Sequence, residues 1–194
     1  MRSWRCSSDH KIRSVQLIFP LRSAFIALPL EGEVRDHFRE LQERLQEYEE
    51  ILSFQYPASP HLTLQFWPSM MEIEYHQILK QAEAVAGKAE PFSLKIEGVE
   101  TFGDRGRDRV LFLSVPFSEP LARLKKLCPW PSEKQFHPHI TLARIRHPER
   151  FTRVKKRVMK MLSDALFDMN VDRLRLYAEV DGRKQTVLQD FQFH

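Results

Sequence analysis

The sequence predicts an α+β fold built from two similar halves, and three observations lead to that prediction. First, the tetrapeptides His61-Leu62-Thr63-Leu64 and His139-Ile140-Thr141-Leu142 repeat one pattern 78 residues apart, each directly after a proline. Second, each half contains a helix, a proline-rich loop and a His-x-Thr strand in that order. Third, the predicted strands are too numerous for simple strand–helix–strand winding, which favours antiparallel sheets.

The first half is predicted to run strand, helix, strand, helix. Continuous apolar runs and alternation indicate strands, whereas apolar residues spaced by three and four indicate amphipathic helices. Pro29 and Gly87 end the first strand and the second helix. The predicted elements are strand Ser23–Leu28, helix Glu31–Leu52, strand His61–Trp67 and helix Glu72–Ala86.

The second half repeats this order after two connecting strands. Phe92–Val99 and Val110–Val115 alternate as strands on either side of a charged turn, Thr101–Arg109. A terminal hairpin is expected around Asp181-Gly182. The remaining predicted elements are helix Leu121–Leu127, strand His137–Ile145, helix Glu149–Ala165 and the hairpin strands Val171–Val180 and Thr186–Phe193.

Length and composition indicate one ordinary globular domain. The chain has 194 residues, of which 42% are hydrophobic and 29% charged, and it is long enough to bury a core. We expect an N-terminal extension over residues 1–21 and a single bilobal domain over residues 22–194. The net charge of +4 favours a polyanionic partner without requiring one.

The predicted location is the cytoplasm. Two cysteines, Cys6 and Cys128, are too few for a disulfide framework and indicate free thiols in a reducing compartment. The apolar stretch at residues 15–30 is interrupted by Arg22 and by prolines. It is too short and too broken for a transmembrane helix and lacks the cleavage site of a signal peptide. We therefore expect no membrane partner.

The two His-x-Thr motifs supply the candidate functional residues. Eight histidines and five threonines in 194 residues make a chance His-x-Thr expected only about 0.2 times. In a strand, residues i and i+2 share a face, so each copy presents an imidazole beside a hydroxyl, with apolar side chains behind. Histidine acts as acid or base near neutrality, and hydroxyls stabilise phosphoryl oxygens. The set that suits phosphodiester cleavage is His61, Thr63, His139 and Thr141.

Two other interpretations of these residues stay open. One is that the histidines only form hydrogen bonds at a strand end, which a duplicated motif with matching flanks disfavours. The other is zinc bound by His137 and His139, which share a face. The sequence has no HExxH motif, cysteine cluster or suitably spaced carboxylate beside that pair. We expect no metal and no cofactor.

Beyond these motifs, the chain resembles the 2H phosphoesterase superfamily, and more narrowly its RNA 2′,3′-cyclic phosphodiesterases, also called 2′-5′ RNA ligases. The similarity runs from about Arg22 to the C-terminus. It is carried by Phe25-Ile26-Ala27-Leu28-Pro29, His61-Leu62-Thr63-Leu64, Pro91-Phe92, Phe136-His137-Pro138-His139-Ile140-Thr141-Leu142-Ala143-Arg144, and Val171-Asp172-Arg173-Leu174 with Tyr177.

The resemblance implies two lobes related by a pseudo-twofold axis, with two mainly antiparallel sheets facing a central cleft and helices on the outside. It also implies metal-independent hydrolysis of an RNA 2′,3′-cyclic phosphate to a 2′-phosphomonoester. By position, His61 and His139 are the catalytic acid–base pair, and Thr63 and Thr141 bind the phosphate. Arg144, five residues after the second motif histidine, matches an arginine that contacts phosphate.

Two assignments stay open when the residues alone are considered. Strand alternation places Arg144 on the face opposite His139, so Arg144 needs a strand end or a bulge to reach the phosphate and is otherwise a solvated arginine. We hypothesise that His61 protonates the departing 3′ oxygen while His139 activates the attacking water. The sequence does not decide which histidine has which role.

The expected substrate is an RNA end or a small cyclic nucleotide, and the expected oligomeric state is a monomer. Alternatives at the same site are 2′-5′ RNA ligation, cleavage of 2′-5′ linked oligonucleotides, and nucleotide binding without turnover. The charged turn and the last helix either guide an RNA backbone or form a solvated face. The basic residues of that helix are Arg150, Arg153, Lys155, Lys156, Arg157 and Lys160.

Overall fold

A computed structural model describes residues 17–131 and 135–194. Within these ranges the chain forms ten β-strands and four α-helices. The strands are β1 (Leu21–Pro29), β2 (Leu52–Phe54), β3 (His61–Met70), β4 (Phe92–Glu97), β5 (Val99–Asp104), β6 (Arg107–Ser114), β7 (His139–Ile145), β8 (Leu166–Val171), β9 (Arg173–Val180) and β10 (Arg183–Gln192). The helices are α1 (Gly32–Arg44), α2 (Glu72–Ala86), α3 (Glu119–Leu127) and α4 (Pro148–Met161).

Most of the predicted N-terminal extension, including Cys6, lies outside the described residues. Its described end contacts the domain, because Leu17 and Phe19 pack against the core. Cys128 carries a free thiol. None of the helices in the described ranges is long and apolar enough to cross a membrane.

An antiparallel eight-stranded sheet organises the fold. Its strands are hydrogen-bonded in the order β10-β9-β1-β3-β7-β6-β5, and β2 also pairs with β7. A separate antiparallel pair joins β4 to β8. Helices and antiparallel sheets therefore combine in an α+β fold, which confirms the predicted class.

The two His-x-Thr strands meet at the centre of the large sheet. Leu62 of β3 pairs with Ile140 of β7, and beyond this pair the two strands diverge. Each central strand has an outer partner from its own half, which is β1 for β3 and β6 for β7. The strand order thus repeats on both sides of the centre, and this arrangement brings the two motifs side by side.

The aliphatic residues of the motifs belong to the main core. Leu62, Leu64, Ile140 and Leu142 alternate with the histidines and threonines, and each is at most 4% exposed. Phe151 of α4 belongs to the same core. Burying one such aliphatic side chain stabilises the fold by about 1.5–3 kcal/mol. Because a slip by one residue would expose all four side chains, the core fixes which face carries the polar motif residues.

The predicted helix Glu31–Leu52 is wrong in its second part. The helix α1 ends at Arg44, a 3-10 turn follows over Gln46–Tyr48, and the strand β2 begins at Leu52. Tyr48 and Leu52 are buried, as helical spacing requires. Spacing alone does not separate a helix from a turn and a short strand, because the pairing of β2 with β7 is a long-range contact.

The charged segment Thr101–Arg109 is mostly strand rather than turn. β5 extends to Asp104 and β6 begins at Arg107, so the turn itself is Arg105-Gly106, both with positive φ. Two residues of positive φ match the twist of a tight hairpin. The charged composition concealed the strands because the last three residues of β5 are exposed and need no apolar alternation.

The C-terminal part contains one more strand than predicted. The helix α4 ends at Met161 rather than Ala165, and β8 pairs with β4. Asp168 and Asn170 lie within β8, and both residue types are depleted in strands, which is why the sequence does not indicate this one. The predicted hairpin around Asp181-Gly182 is confirmed as β9 and β10.

Candidate active site

His61 opens strand β3 and packs on two aromatic rings. The ring centroids of Phe25 and Tyr177 lie 4.5 Å and 5.5 Å from that of His61, and the two aromatic rings stack at 4.8 Å. Nδ1 of His61 is 2.8 Å from the backbone oxygen of Ser59. That oxygen accepts a hydrogen bond from the Nδ1–H, which fixes the tautomer and leaves the lone pair on Nε2.

The loop that orients His61 is tied to the C-terminal hairpin. The Ser59 hydroxyl donates a hydrogen bond to Oε1 of Gln185 at 2.6 Å. Gln185 lies at an irregularity in β10 and has a φ of 59°, a left-handed conformation that costs a residue other than glycine about 1–2 kcal/mol. The terminal hairpin therefore supports the backbone carbonyl that holds the imidazole.

His139 opens strand β7 with the same backbone contact but a different aromatic environment. Its Nδ1 is 2.8 Å from the backbone oxygen of His137, so the lone pair again lies on Nε2. The rings of Phe102 and Phe112 approach it edge-on, with centroids at 5.1 Å and 5.5 Å and interplanar angles of 86° and 69°. The two histidines thus share a tautomer and differ in their apolar surroundings.

Both histidines titrate below the ordinary range. Burial lowers the pKa of His61 from 6.5 to about 4, and nearby His139 lowers it further, while the hydrogen bond to Ser59 acts in the opposite direction. Burial also lowers the pKa of His139, and His137 adds to this effect. Both imidazoles are therefore mainly neutral at pH 7 before any anion binds.

The pairing of Leu62 with Ile140 sets the positions of the four motif side chains. In an antiparallel register, this pair places His61 across from Thr141 and Thr63 across from His139. All four side chains are partly buried and lie on the face opposite the leucines. Two imidazoles and two hydroxyls therefore form one compact polar group at the centre of the sheet.

Arg144 shares the histidine face because β7 contains a bulge. On β6, Phe112 and Val110 are two residues apart, and they lie opposite Thr141 and Arg144. On β7, Thr141 and Arg144 are three residues apart. Leu142 is the extra residue. Residues two apart on a regular strand share a face, so their partners Thr141 and Arg144 do as well. The exposed Arg144 side chain thus lies on the same face of the sheet as His139, whereas regular strand alternation would place it on the opposite face.

The first half contains an equivalent bulge, and it presents a residue that the sequence reasoning missed. On β1, Ala27 and Phe25 are two residues apart, and they lie opposite Thr63 and Phe66. On β3, Thr63 and Phe66 are three residues apart. Phe66, 49% exposed, therefore occupies the place that Arg144 holds in the second half. The available signal was the repeat itself, because each of the two residues is the fifth after its motif histidine.

His137 is a neighbour of this polar group. Its ring centroid lies 6.2 Å from that of His139 and 5.8 Å from that of Phe112. Within residues 17–131 and 135–194, no three His, Cys, Asp or Glu side chains come together in a group able to hold a metal ion. Two imidazoles supply half of the four ligands that a structural zinc takes.

The basic helix α4 packs on the other side of the sheet. Its buried Phe151 and Val158 belong to the leucine-lined core, whereas Phe25 and Tyr177 beneath His61 form a separate buried cluster. Several of its cations are also paired with carboxylates. These pairs are Arg150–Glu50 at 2.9 Å, Lys155–Asp108 at 2.9 Å and Arg157–Glu47 at 3.2 Å. The location of α4 on the side of the sheet away from the histidines and the ion pairs of its cations both favour a solvated helix face over a surface that guides RNA.

Comparison with known proteins agrees with this architecture. A family model described as the 2′-5′ RNA ligase superfamily matches residues 33–183, which include both motifs. An RNA 2′,3′-cyclic phosphodiesterase of Methanothermobacter thermautotrophicus is 24% identical over 160 residues, covering 79% of this chain and 87% of that protein.

Solved structures show the same fold. A protein of Thermus thermophilus superposes with a TM-score of 0.67 at 25% identity, over 88% of this chain and 97% of that one. E. coli LigT, crystallised with 3′-AMP, superposes with a TM-score of 0.66 at 20% identity, over 90% and 98% of the two chains. The likeness to LigT concerns the fold alone.

Proposed function

We propose that this chain, which belongs to the 2′-5′ RNA ligase superfamily, hydrolyses the 2′,3′-cyclic phosphate at an RNA end to a 2′-phosphomonoester. The observation that carries the proposal is the pair of histidines with Nδ1 held by a backbone oxygen and Nε2 left for proton transfer, each beside a threonine. The similarity to a protein named RNA 2′,3′-cyclic phosphodiesterase supports the same reaction class.

His61 is the general base in this proposal. A base must be unprotonated at the working pH, and a pKa of about 4 keeps His61 neutral through the whole neutral range. Nε2 of His61 takes a proton from water as the water oxygen forms a bond to phosphorus. The aromatic rings beneath the imidazole and the Ser59 carbonyl limit its rotation, so its lone pair is preoriented.

His139 is the general acid, and it gives a proton to the 3′ oxygen as the bond from that oxygen to phosphorus breaks. Its pKa lies below 6.5, and a phosphodiester anion beside it favours the protonated form. This division reverses our sequence-based hypothesis that His61 is the acid. The reason is physical, because the more strongly desolvated imidazole is the harder one to protonate and so is present at neutral pH in the unprotonated form that a general base requires.

Thr63, Thr141 and Arg144 bind the phosphoryl oxygens in this scheme. The charge on the non-bridging oxygens grows during attack, and hydroxyl and guanidinium donors on the same face stabilise it. The bulge in β7 supports the inclusion of Arg144, because it brings the guanidinium to the face of the motif threonines.

Phe66 receives the nucleoside in this scheme. It stands on the same face, at the position symmetric to Arg144, and exposes an aromatic ring to solvent. Nucleobases stack on exposed aromatic rings with about 1–3 kcal/mol per base and without strong sequence preference. The substrate is therefore oriented across the site, with its phosphate at Arg144 of the second half and its base at Phe66 of the first half. We further propose that the protein acts in the cytoplasm, as a monomer, on RNA ends or small cyclic nucleotides.

The test is incubation of the purified protein with an oligoribonucleotide that ends in a 2′,3′-cyclic phosphate, in the presence of EDTA. We expect release of 2′-phosphate ends, lost in both His61→Ala and His139→Ala. Joining of added 5′-hydroxyl RNA would instead identify 2′-5′ ligation, in which a 5′ hydroxyl replaces water as the nucleophile that opens the cyclic phosphate. Tight binding of 2′-AMP without turnover would contradict the proposal and favour a nucleotide-binding module.

A further inference from the structure

Both bulges leave a backbone carbonyl where β3 and β7 diverge. The two strands pair only at Leu62 and Ile140, and the extra residues Leu64 and Leu142 lie just beyond that pair. The extra residue of a bulge lies outside the regular ladder, so its carbonyl is open to donors from other elements of the fold. In each half, a side chain from a helix donates to this carbonyl.

Gln42 of α1 donates to the carbonyl of Leu142. Its amide nitrogen lies 2.9 Å from that oxygen and 2.9 Å from the backbone oxygen of Gln55, whose own N–H also donates to the Leu142 oxygen at 3.0 Å. Gln42 is 6% exposed and is the one buried polar or charged residue in the described part of the chain. An amide is costly to bury unless its hydrogen bonds are made, so the two backbone oxygens that Gln42 binds account for a buried amide at this position.

Lys125 of α3 donates to the equivalent carbonyl in β3. Its ammonium lies 2.9 Å from the backbone oxygen of Leu64 and 5.2 Å from the centroid of the Phe136 ring. Phe136 stands in the loop that leads to His139, so the same ammonium links the first bulge to the approach of the second motif. Burial beside an aromatic ring strengthens such a cation's hydrogen bond.

The two contacts are related by the symmetry of the fold. The helix α1 follows β1 in the first half and reaches the bulge of the second, whereas α3 follows β6 in the second half and reaches the bulge of the first. Each half therefore supports the backbone that presents the fifth residue after the other half's motif histidine.

We propose that Gln42 and Lys125 are positioning residues of the site. Gln42 holds the bulge that presents Arg144, and Lys125 holds the bulge that presents Phe66. The inference rests on the proposed function, since Arg144 and Phe66 are its phosphate and nucleoside contacts. Neither Gln42 nor Lys125 touches the substrate, and each acts through the strand whose carbonyl it binds.

The test is a pair of crossed double-mutant cycles on the full chain. Gln42→Met and Lys125→Met keep side-chain length and remove the donors, and each is combined with Arg144→Ala and with Phe66→Ala. The readouts are kcat and KM for a nucleoside 2′,3′-cyclic phosphate, and the Kd of 2′-AMP by calorimetry. Lys125→Arg, which keeps a cationic donor, is the matched control and should retain near wild-type values.

We expect Gln42→Met to lower kcat/KM about tenfold in the unmodified background and about twofold or less in the Arg144→Ala background. Its effect should add in full to that of Phe66→Ala. Lys125→Met should show the opposite pattern, coupled to Phe66 and additive with Arg144. Full additivity in every combination would mean that both residues only stabilise the fold, and would overturn the inference.

The outcomes separate this inference from the proposed function. If the unmodified protein binds 2′-AMP but does not turn over the cyclic substrate, the proposed function fails while the coupling is still measured in Kd. If turnover is normal but no coupling appears, the inference alone fails. Should Gln42→Met not fold, the Lys125 cycle with its arginine control decides the matter.

Discussion

The two halves of the site share a backbone plan and differ in side chains. Each motif histidine donates from Nδ1 to a carbonyl two residues earlier, and each strand has a bulge after its threonine. Yet His61 lies on the rings of Phe25 and Tyr177, whereas His139 meets the edges of Phe102 and Phe112. The duplicated scaffold places equivalent groups, and the apolar surroundings then give the two imidazoles different proton affinities.

The same divergence applies to the residues after the bulges. Phe66 and Arg144 occupy symmetric positions, but one offers an aromatic ring and the other a cation. A symmetric site would bind two identical ligand groups, whereas a nucleoside phosphate has one base and one phosphate. The difference between the halves therefore matches the asymmetry of the proposed substrate, and three experiments test this comparison.

The largest expected effect comes from the histidines themselves. His61→Ala and His139→Ala should each lower kcat about 10³-fold on the cyclic substrate, as loss of a general base or acid does. A nucleoside phosphodiester with a 4-nitrophenyl leaving group needs no protonation as it departs. Turnover of this ester should therefore recover in His139→Ala only, in steady-state assays at pH 7.

Rescue of His61→Ala instead would reverse the assignment of base and acid and restore the sequence-based hypothesis. Equal rescue of both variants would mean that the two environments do not distinguish the histidines. His76→Ala serves as a control, because that histidine is exposed on α2, and should leave both substrates unaffected.

A smaller effect is expected from the two residues after the bulges. Arg144→Ala should lower kcat/KM about 100-fold on every substrate, because the phosphate is always present. Phe66→Ala should lower it about tenfold on a nucleoside cyclic phosphate and leave a base-free cyclic ribose phosphate unchanged. Kinetics on the two substrates give both numbers.

Replacement of the exposed Ile73 on α2 by Ala is the matched control for loss of an exposed apolar side chain. If Phe66→Ala slowed both substrates equally, Phe66 would support the strand rather than the base. The comparison between the halves would then hold for the histidines alone.

The third effect concerns stability against pH. The folded-state pKa of His61, about 4, is below its unfolded value of 6.5, so the unfolded chain binds the proton first as the pH falls. This group's contribution to stability is complete above pH 6.5 and is lost progressively toward pH 4. At 1.4 kcal/mol per pH unit, the loss between pH 7 and pH 5 is about 2 kcal/mol.

Urea unfolding at pH 7 and pH 5 measures this loss, and His61→Gln should remove it. The matched variant His139→Gln should remove less, because His139 is less deeply buried than His61. An identical pH dependence in wild type and His61→Gln would show that the burial of His61 does not control its protonation.

Several features of this protein follow from its sequence. The repeated His-x-Thr pattern, with apolar residues between, predicts two strands with the polar residues on one face, and β3 and β7 begin at His61 and His139. The helix predicted over Glu72–Ala86 has these same bounds in the structure. These features depend on residues that are neighbours along the chain, where periodicity and turn residues are informative.

The tertiary structure decided the rest, because it depends on contacts between distant segments. Strand alternation predicts the wrong face for Arg144, and only the register of β7 against β6 reveals the extra residue that corrects it. In the same way, only the register of β3 against β1 shows that Phe66 lies on the face of the motif residues. The unequal burial of His61 and His139 arises from rings on other strands, and desolvation is a property of the packed protein that no local pattern encodes.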